Sequence, residues 1–181
     1  MEKKGPWTVL GTIVKYQNPW IKVNEDQVIR PDGKPGIHAV INMKAGVSIL
    51  PMDEKGFVYL TKEFHYGIAS ESIETVSGAI DGIERPIETA KRELLEEVGI
   101  EAKEWVELGL VNPFTTVIVS PAHLFLARSL TFKESNQEGS ETIRTVKVKF
   151  EEAVKMVMES KITHAQSCVL ILKVNEFLKD I

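Results

Sequence analysis

The chain has one cysteine, Cys168, among 181 residues, so no internal disulfide staples it and its stability must come from packing. No lysines or arginines form a block, and a net charge of −4 with a pI near 5.7 makes a nucleic-acid backbone a poor partner. A small anion remains open as a ligand if a metal mediates. No stretch approaches the roughly 18 consecutive apolar residues of a membrane span. Met1-Glu2-Lys3-Lys4-Gly5-Pro6 is followed by no apolar segment of the signal-peptide kind, and the expected location is cytoplasmic. Internal repeats and low-complexity tracts are missing too. Cys168 sits in the apolar run Ser167-Cys168-Val169-Leu170-Ile171 and is expected as a buried, inert thiol rather than a nucleophile.

What is present is a core-forming composition, 43% hydrophobic, in a length that suits one domain or one domain with an added lobe. Trp7 to Tyr16, His38 to Met43, Val47 to Met52 and Phe57 to Thr61 are rich in β-branched and aromatic residues, and breakers such as Pro31-Asp32-Gly33 and Asp53-Glu54-Lys55-Gly56 separate them. These read as strands, as do Trp105 to Val111, His123 to Ser129 and Ile143 to Phe150. A helix is expected from Pro86, whose missing N–H is harmless in a first turn, to Gly99, which suits the left-handed residue after a helix. Two more helices are expected at Glu151 to Ser160 (Ala153, Val154, Val157 and Met158 inward) and Ala165 to Leu178 (Val169, Leu172 and Phe177 inward). The expected fold class is α/β or α+β, a mixed sheet sandwiched between helices. Residues 1–45 are expected as a strand-rich N-terminal lobe and 46–181 as the main domain.

The chemistry-bearing stretch is GAIDGIERPIETAKRELLEEVGI, from Gly78 to Ile100. At about 100° per residue, Glu93, Glu96 and Glu97 fall on one arc of a helix, and Ile87, Ala90, Leu94 and Val98 form a neighbouring apolar stripe that would seat it on a sheet. Like charges three and four residues apart repel, and a divalent cation removes that penalty. Carboxylate oxygens are the ligands Mg²⁺ and Mn²⁺ prefer. Arg92 is spaced to pair with Glu88 or Glu96 and to orient a glutamate. Glu84, just before the helix, can turn its carboxylate to the same arc, and Gly78 would let backbone carbonyls approach a metal without a Cβ in the way. Such a set can neutralise a diphosphate, lower the pKa of a bound water and align it for attack.

Gly78, Glu84, Arg92-Glu93-Leu94, Glu96-Glu97 and Gly99-Ile100 together resemble the Nudix hydrolase signature with every position filled. With average residue usage, a chance match is rarer than about one in a million. From about Gly46 to Leu178 the chain is similar to the ADP-ribose pyrophosphatase branch of that family. The resemblance implies a metal-dependent pyrophosphohydrolase that cleaves a nucleoside diphosphate sugar, ADP-ribose first, to a nucleoside monophosphate and a sugar phosphate. It implies that Glu93, Glu97 and Glu96 hold Mg²⁺ with the Ser77 carbonyl, and that Glu138 or Glu141, in the polar loop before the last strand, is the general base. Glu74-Thr75-Val76-Ser77-Gly78 matches the strand that enters the box in relatives.

Two places depart from that branch. His65, in Glu63-Phe64-His65-Tyr66, stands where relatives carry an arginine, and it reads either as a weaker substrate contact or as an ordinary surface histidine. Thr115 stands where they carry a proline. These departures keep a GDP-sugar or dinucleotide substrate in view, along with a domain that binds a nucleotide sugar without cutting it. Trp20, Phe64 and Tyr66 are aromatics that could stack on a base. Asn18 to Val23 resembles part of the lobe that is often exchanged between subunits in this branch, which implies a homodimer.

Overall fold

The computed structural model describes residues 1–134 and 143–179. The chain forms two compact units, one of Met1–Ala45 with Asn112–Pro121 and one of Gly46–Val111 with Ala122–Ile181.

The first unit is a single sheet. Strands β1 (Glu2–Lys4), β2 (Trp7–Gln17), β3 (Ile21–Ile29) and β4 (Pro35–Met43) run antiparallel in chain order, and β10 (Ile118–Val119) adds in parallel beside β4. Strand β3 is absent from the sequence reading because Asn24-Glu25-Asp26-Gln27 breaks its apolar alternation. Tertiary contacts override that weak propensity. Asp26 is buried and accepts hydrogen bonds from Thr12 Oγ1 at 2.5 Å and Lys4 Nζ at 3.1 Å.

Among its described residues the second unit holds two sheets and three helices. One sheet orders β8 (Val76–Ala79), β5 (Gly46–Pro51), β11 (Ala122–Phe132) and β9 (Ile100–Val111). The other orders β12 (Arg144–Lys149), β6 (Phe57–His65) and β7 (Ser70–Glu74). β5 and β11 are parallel and their other neighbours antiparallel, so the sheet is mixed. Helix α1 (Pro86–Val98) packs Ala90 and Leu94 against Val47, Ile49, Phe125 and Ala127. Helices α2 (Phe150–Met158) and α3 (Ala165–Phe177) pack against Leu50, Leu124 and Leu126. Consecutive residues of β5 and β11 thus point to apolar layers on both faces, which explains their continuous hydrophobic runs. Each fully buried leucine in these layers contributes about 1.5–3 kcal/mol. Among the described residues no helix is long and apolar enough to cross a membrane.

The helical limits at Pro86 and Gly99 agree with the sequence reading, and Gly99 has φ 64°. Three details differ. β9 begins at Ile100, directly after the helix, rather than at Trp105. In α2 Phe150, Ala153 and Met156 are buried and Val154 and Val157 pack against the same core as expected, while Met158 is exposed. In α3 Ser167, Leu170, Ile171 and Val174 are buried and Val169 and Phe177 pack against the core as expected, with Leu172 turned outward. Helix α3 is apolar around much of its circumference, so periodicity alone leaves the phase of its buried stripe open. Cys168 is partly buried and its Sγ donates to the Ile162 carbonyl at 3.2 Å; burial pushes the thiol up, in keeping with an inert role.

Candidate active site

Helix α1 carries the acidic arc beside its apolar seat on the sheet, and Arg92 gathers much of it. Its Nη1 lies 2.8 Å from Glu93 Oε1 and 3.0 Å from Glu96 Oε2. Its Nε and Nη2 donate to the two oxygens of Glu84 at 3.3 and 3.2 Å, and Nη2 also reaches the Ala79 carbonyl at 3.4 Å. A planar fork with five donors in fixed directions can serve three carboxylates and the Ala79 carbonyl together, where an ammonium has only three donors. Glu84 therefore does turn back toward the helix, and Thr89, fully buried, donates its hydroxyl to Glu84 Oε2 at 2.8 Å. The hydrogen bonds from Arg92 and then Thr89 hold the Glu84 carboxyl below its ordinary range. The bond to Glu84, helped by the charge of Glu93, keeps Arg92 protonated. Glu88, one of two partners expected for Arg92, instead pairs with Arg85 and closes the first turn of the helix. Glu97 is buried.

The backbone beneath this arc is cleared by glycine. A Cβ on Gly78 would stand 2.0 Å from Glu93 Cδ and 2.1 Å from Oε1, so the Glu93 carboxylate lies directly against the strand. On the other side, a Cβ on Gly46 would stand 3.0 Å from the Gly78 carbonyl oxygen. Ser77 pairs with Ser48 across β5 and β8.

Among the described residues no three histidine, cysteine, aspartate or glutamate side chains form a ready metal cage, because Arg92 draws Glu84, Glu93 and Glu96 around itself. The donor set nevertheless fits a hard divalent cation. It is all oxygen, it lies above a glycine-cleared backbone, and three carboxylates face one guanidinium, leaving a surplus of negative charge.

His65 Nε2 lies 2.9 Å from Glu74 Oε1, and Glu74 Oε2 lies 2.9 Å from His164 Nδ1. Burial pushes the Glu74 carboxyl up, but the hydrogen bond and charge of His164, with Ser72 and His65 behind them, outweigh it and hold the group below its usual range. Phe64 and Tyr66, beside His65, are exposed. Trp20 and Thr115 are exposed members of the first unit, whereas His65 and α1 belong to the second. Glu138 and Glu141 lie outside the described residues. The sequence reading missed Thr89 and the partnership of Glu74 with His164. Thr89 looked like an ordinary helix residue, and no local spacing links positions some ninety residues apart.

A helix of this kind, laid on a mixed sheet with an acidic arc at the edge of its seat, matches a diphosphate-hydrolase class. Residues 43–167 match the NUDIX domain model, and residues 7–41 match the nucleoside diphosphate sugar hydrolase N-terminal domain. The chain belongs to the Nudix hydrolase family and is a pyrophosphohydrolase. It is 27% identical over 148 residues to an ADP-ribose pyrophosphatase of Bacillus subtilis, covering 81% of this chain and 80% of that one. It is 24% identical over 166 residues to a methanol dehydrogenase activator of Bacillus methanolicus, with 88% of each covered. The crystal structure of an ADP compounds hydrolase superposes with a TM-score of 0.86 at 18% identity, covering 99% of this chain and 98% of that one, which supports the fold.

Proposed function

We propose that the protein is a Mg²⁺-dependent pyrophosphohydrolase that splits a nucleoside diphosphate sugar, ADP-ribose by preference, into a nucleoside monophosphate and a sugar phosphate. The observation that carries this is the Arg92-centred set of Glu84, Glu93 and Glu96, with Glu93 laid on Gly78. Glu93, Glu96 and Glu97 would hold the metal with the Ser77 carbonyl, and Glu84 would lie beside them. When bound, Mg²⁺ (or Mn²⁺) supplies charge neutralisation of the diphosphate and acidifies a water. Arg92 fixes the carboxylates in one arrangement, so they do not need to reorganise when the diphosphate arrives. Glu141 or Glu138 takes the proton from the attacking water. The ADP-ribose preference draws support from the Bacillus subtilis relative.

Trp20, Thr115 and His65 are proposed substrate contacts, Trp20 as a stacking face for the base. The first unit exposes Leu10, Ile13, Val14, Tyr16, Trp20 and Ile37, more apolar side chain than a solvated sheet needs, which supports a homodimer through this lobe. Light scattering giving a monomer mass would remove that part of the proposal.

A different diphosphate is the second reading, and the 2.9 Å contact of His65 Nε2 with Glu74 Oε1 is the observation behind it. A ring committed to a carboxylate offers a phosphate less than a free arginine fork does. Assaying ADP-ribose, GDP-mannose, UDP-glucose, NADH and a dinucleoside polyphosphate, each with and without Mg²⁺, ranks the substrates. Absence of any metal-dependent cleavage that Glu97→Gln abolishes would sink the catalytic reading. Tight ADP-ribose binding with no product would mark a binding domain instead.

A further inference from the structure

The chain changes sheets at one residue just upstream of the site. β7 ends at Glu74 in one sheet, β8 begins at Val76 in the other, and Thr75 belongs to neither ladder. Its N–H is taken by Ser167 Oγ of α3 at 2.9 Å. Its hydroxyl lies 3.0 Å from Ser167 Oγ and 2.6 Å from Ser48 Oγ of β5. Ser48, Thr75 and Ser167 are all fully buried, on the side of the sheet where their neighbours are leucines and valines.

Ser167 and His164 invite comparison with a nucleophile and its base. The geometry rejects it, because the same nitrogen, His164 Nδ1, faces both Ser167 Oγ and Glu74 Oε2 at 2.9 Å. A relay needs one ring nitrogen for the hydroxyl and the other for the carboxylate. The Ser167 hydroxyl is left with a structural partner on each side and no path to solvent.

We propose that Ser48, Thr75 and Ser167 are positioning residues for the metal-binding arm: their hydroxyl chain pins the sheet switch at Thr75 and so fixes which residue of β8 lies under Glu93. Ser48 is itself the register partner of Ser77, and Val47 that of Gly78. A strand that slips by one residue reverses its faces. Ser77 or Ala79 would then bring a Cβ to the place where Glu93 lies against Gly78. The hydroxyl chain opposes that slip from a helix and a strand at once.

This inference rests on the proposed function, and its test reads metal binding as well as turnover. Mn²⁺ affinity of the full-length protein is measured by electron paramagnetic resonance without substrate, and kcat and KM with ADP-ribose. Thr75→Val, which keeps the shape and removes the hydroxyl, is expected to weaken Mn²⁺ binding by about 10-fold and to lower kcat similarly with KM nearly unchanged. Ser48→Ala is expected to act in the same direction, and Thr75→Ser to restore wild-type values. Cys168→Ala, a lesion in the same helix outside the chain, is expected to leave both readouts alone. Ser48→Ala removes only the end of the chain, so it carries the test if Thr75→Val does not fold. Folded Thr75→Val and Ser48→Ala proteins with wild-type Mn²⁺ affinity and kcat would overturn the proposal. Wild-type protein that neither binds Mn²⁺ nor cleaves a diphosphate would overturn the proposed function and this inference with it.

Discussion

The carboxyl group of Glu93 occupies the space a side chain on Gly78 would need, with Glu93 Cδ 2.0 Å from the position of that missing Cβ. The glycine of the acidic motif therefore serves the glutamate fifteen residues later. Gly78→Ala has a cheap structural remedy, because the colliding group is the end of a flexible side chain, but the remedy moves Glu93. The expected result is a melting temperature close to wild type and a loss of activity of about 10-fold or more, read by calorimetry beside a diphosphatase assay. Unchanged activity would show that Glu93 does not act from this position.

Arg92 holds Glu93 and Glu96 through Nη1 and Glu84 through Nε and Nη2. Arg92→Lys keeps the charge and loses the fork. It is expected to cost about 10- to 100-fold in kcat, while a mere need for positive charge would leave the lysine variant near wild type. Steady-state kinetics at saturating metal separates the two.

Glu74 holds a folded-state pKa below its ordinary value of 4.5. A depressed carboxyl contributes stability that is complete above the unfolded pKa and is lost as pH falls through the folded one. Thermal unfolding between about pH 6 and about pH 3 is expected to show a steeper acid loss for wild type than for Glu74→Gln. Parallel curves would mean that the pairing with His65 and His164 adds nothing to stability.

The buried stripe of α2 is tested by two methionines. Met156→Ala, in the core, is expected to cost about 2–5 kcal/mol, whereas Met158→Ala, on the solvent side, is expected to stay within about 0.5 kcal/mol. Denaturant unfolding measures both, and equal effects would contradict the observed helix phase.

Helix α1 was legible in the sequence almost residue by residue. Pro86 and Gly99 mark its ends, and Ala90 and Leu94 mark its buried face, because each follows from backbone geometry and period. β3 and the full phase of α3 were not legible. A strand with four polar residues in a row and a helix apolar nearly all round carry no periodic signal strong enough to orient them. Among the site residues, the spacing within 84–97 placed Glu84, Arg92 and Glu96 correctly as neighbours. It left Glu88 open as a partner, and the structure gives that residue to Arg85.

The sequence by itself determined the acidic arc, since three- and four-residue steps on a helix put Glu93, Glu96 and Glu97 together wherever that helix lies. Only the tertiary structure decided what surrounds the arc. Arg92 was free to choose among several glutamates until Glu84 folded back and Thr89 caught it. Glu93 found its seat because β8 runs beneath α1 with a glycine in register. The contacts of Thr75 with Ser167, and of Glu74 with His164, join residues far apart in the chain. Hydrogen bonds act over about 3 Å in space, whatever the separation in sequence, so folding alone could bring those groups together.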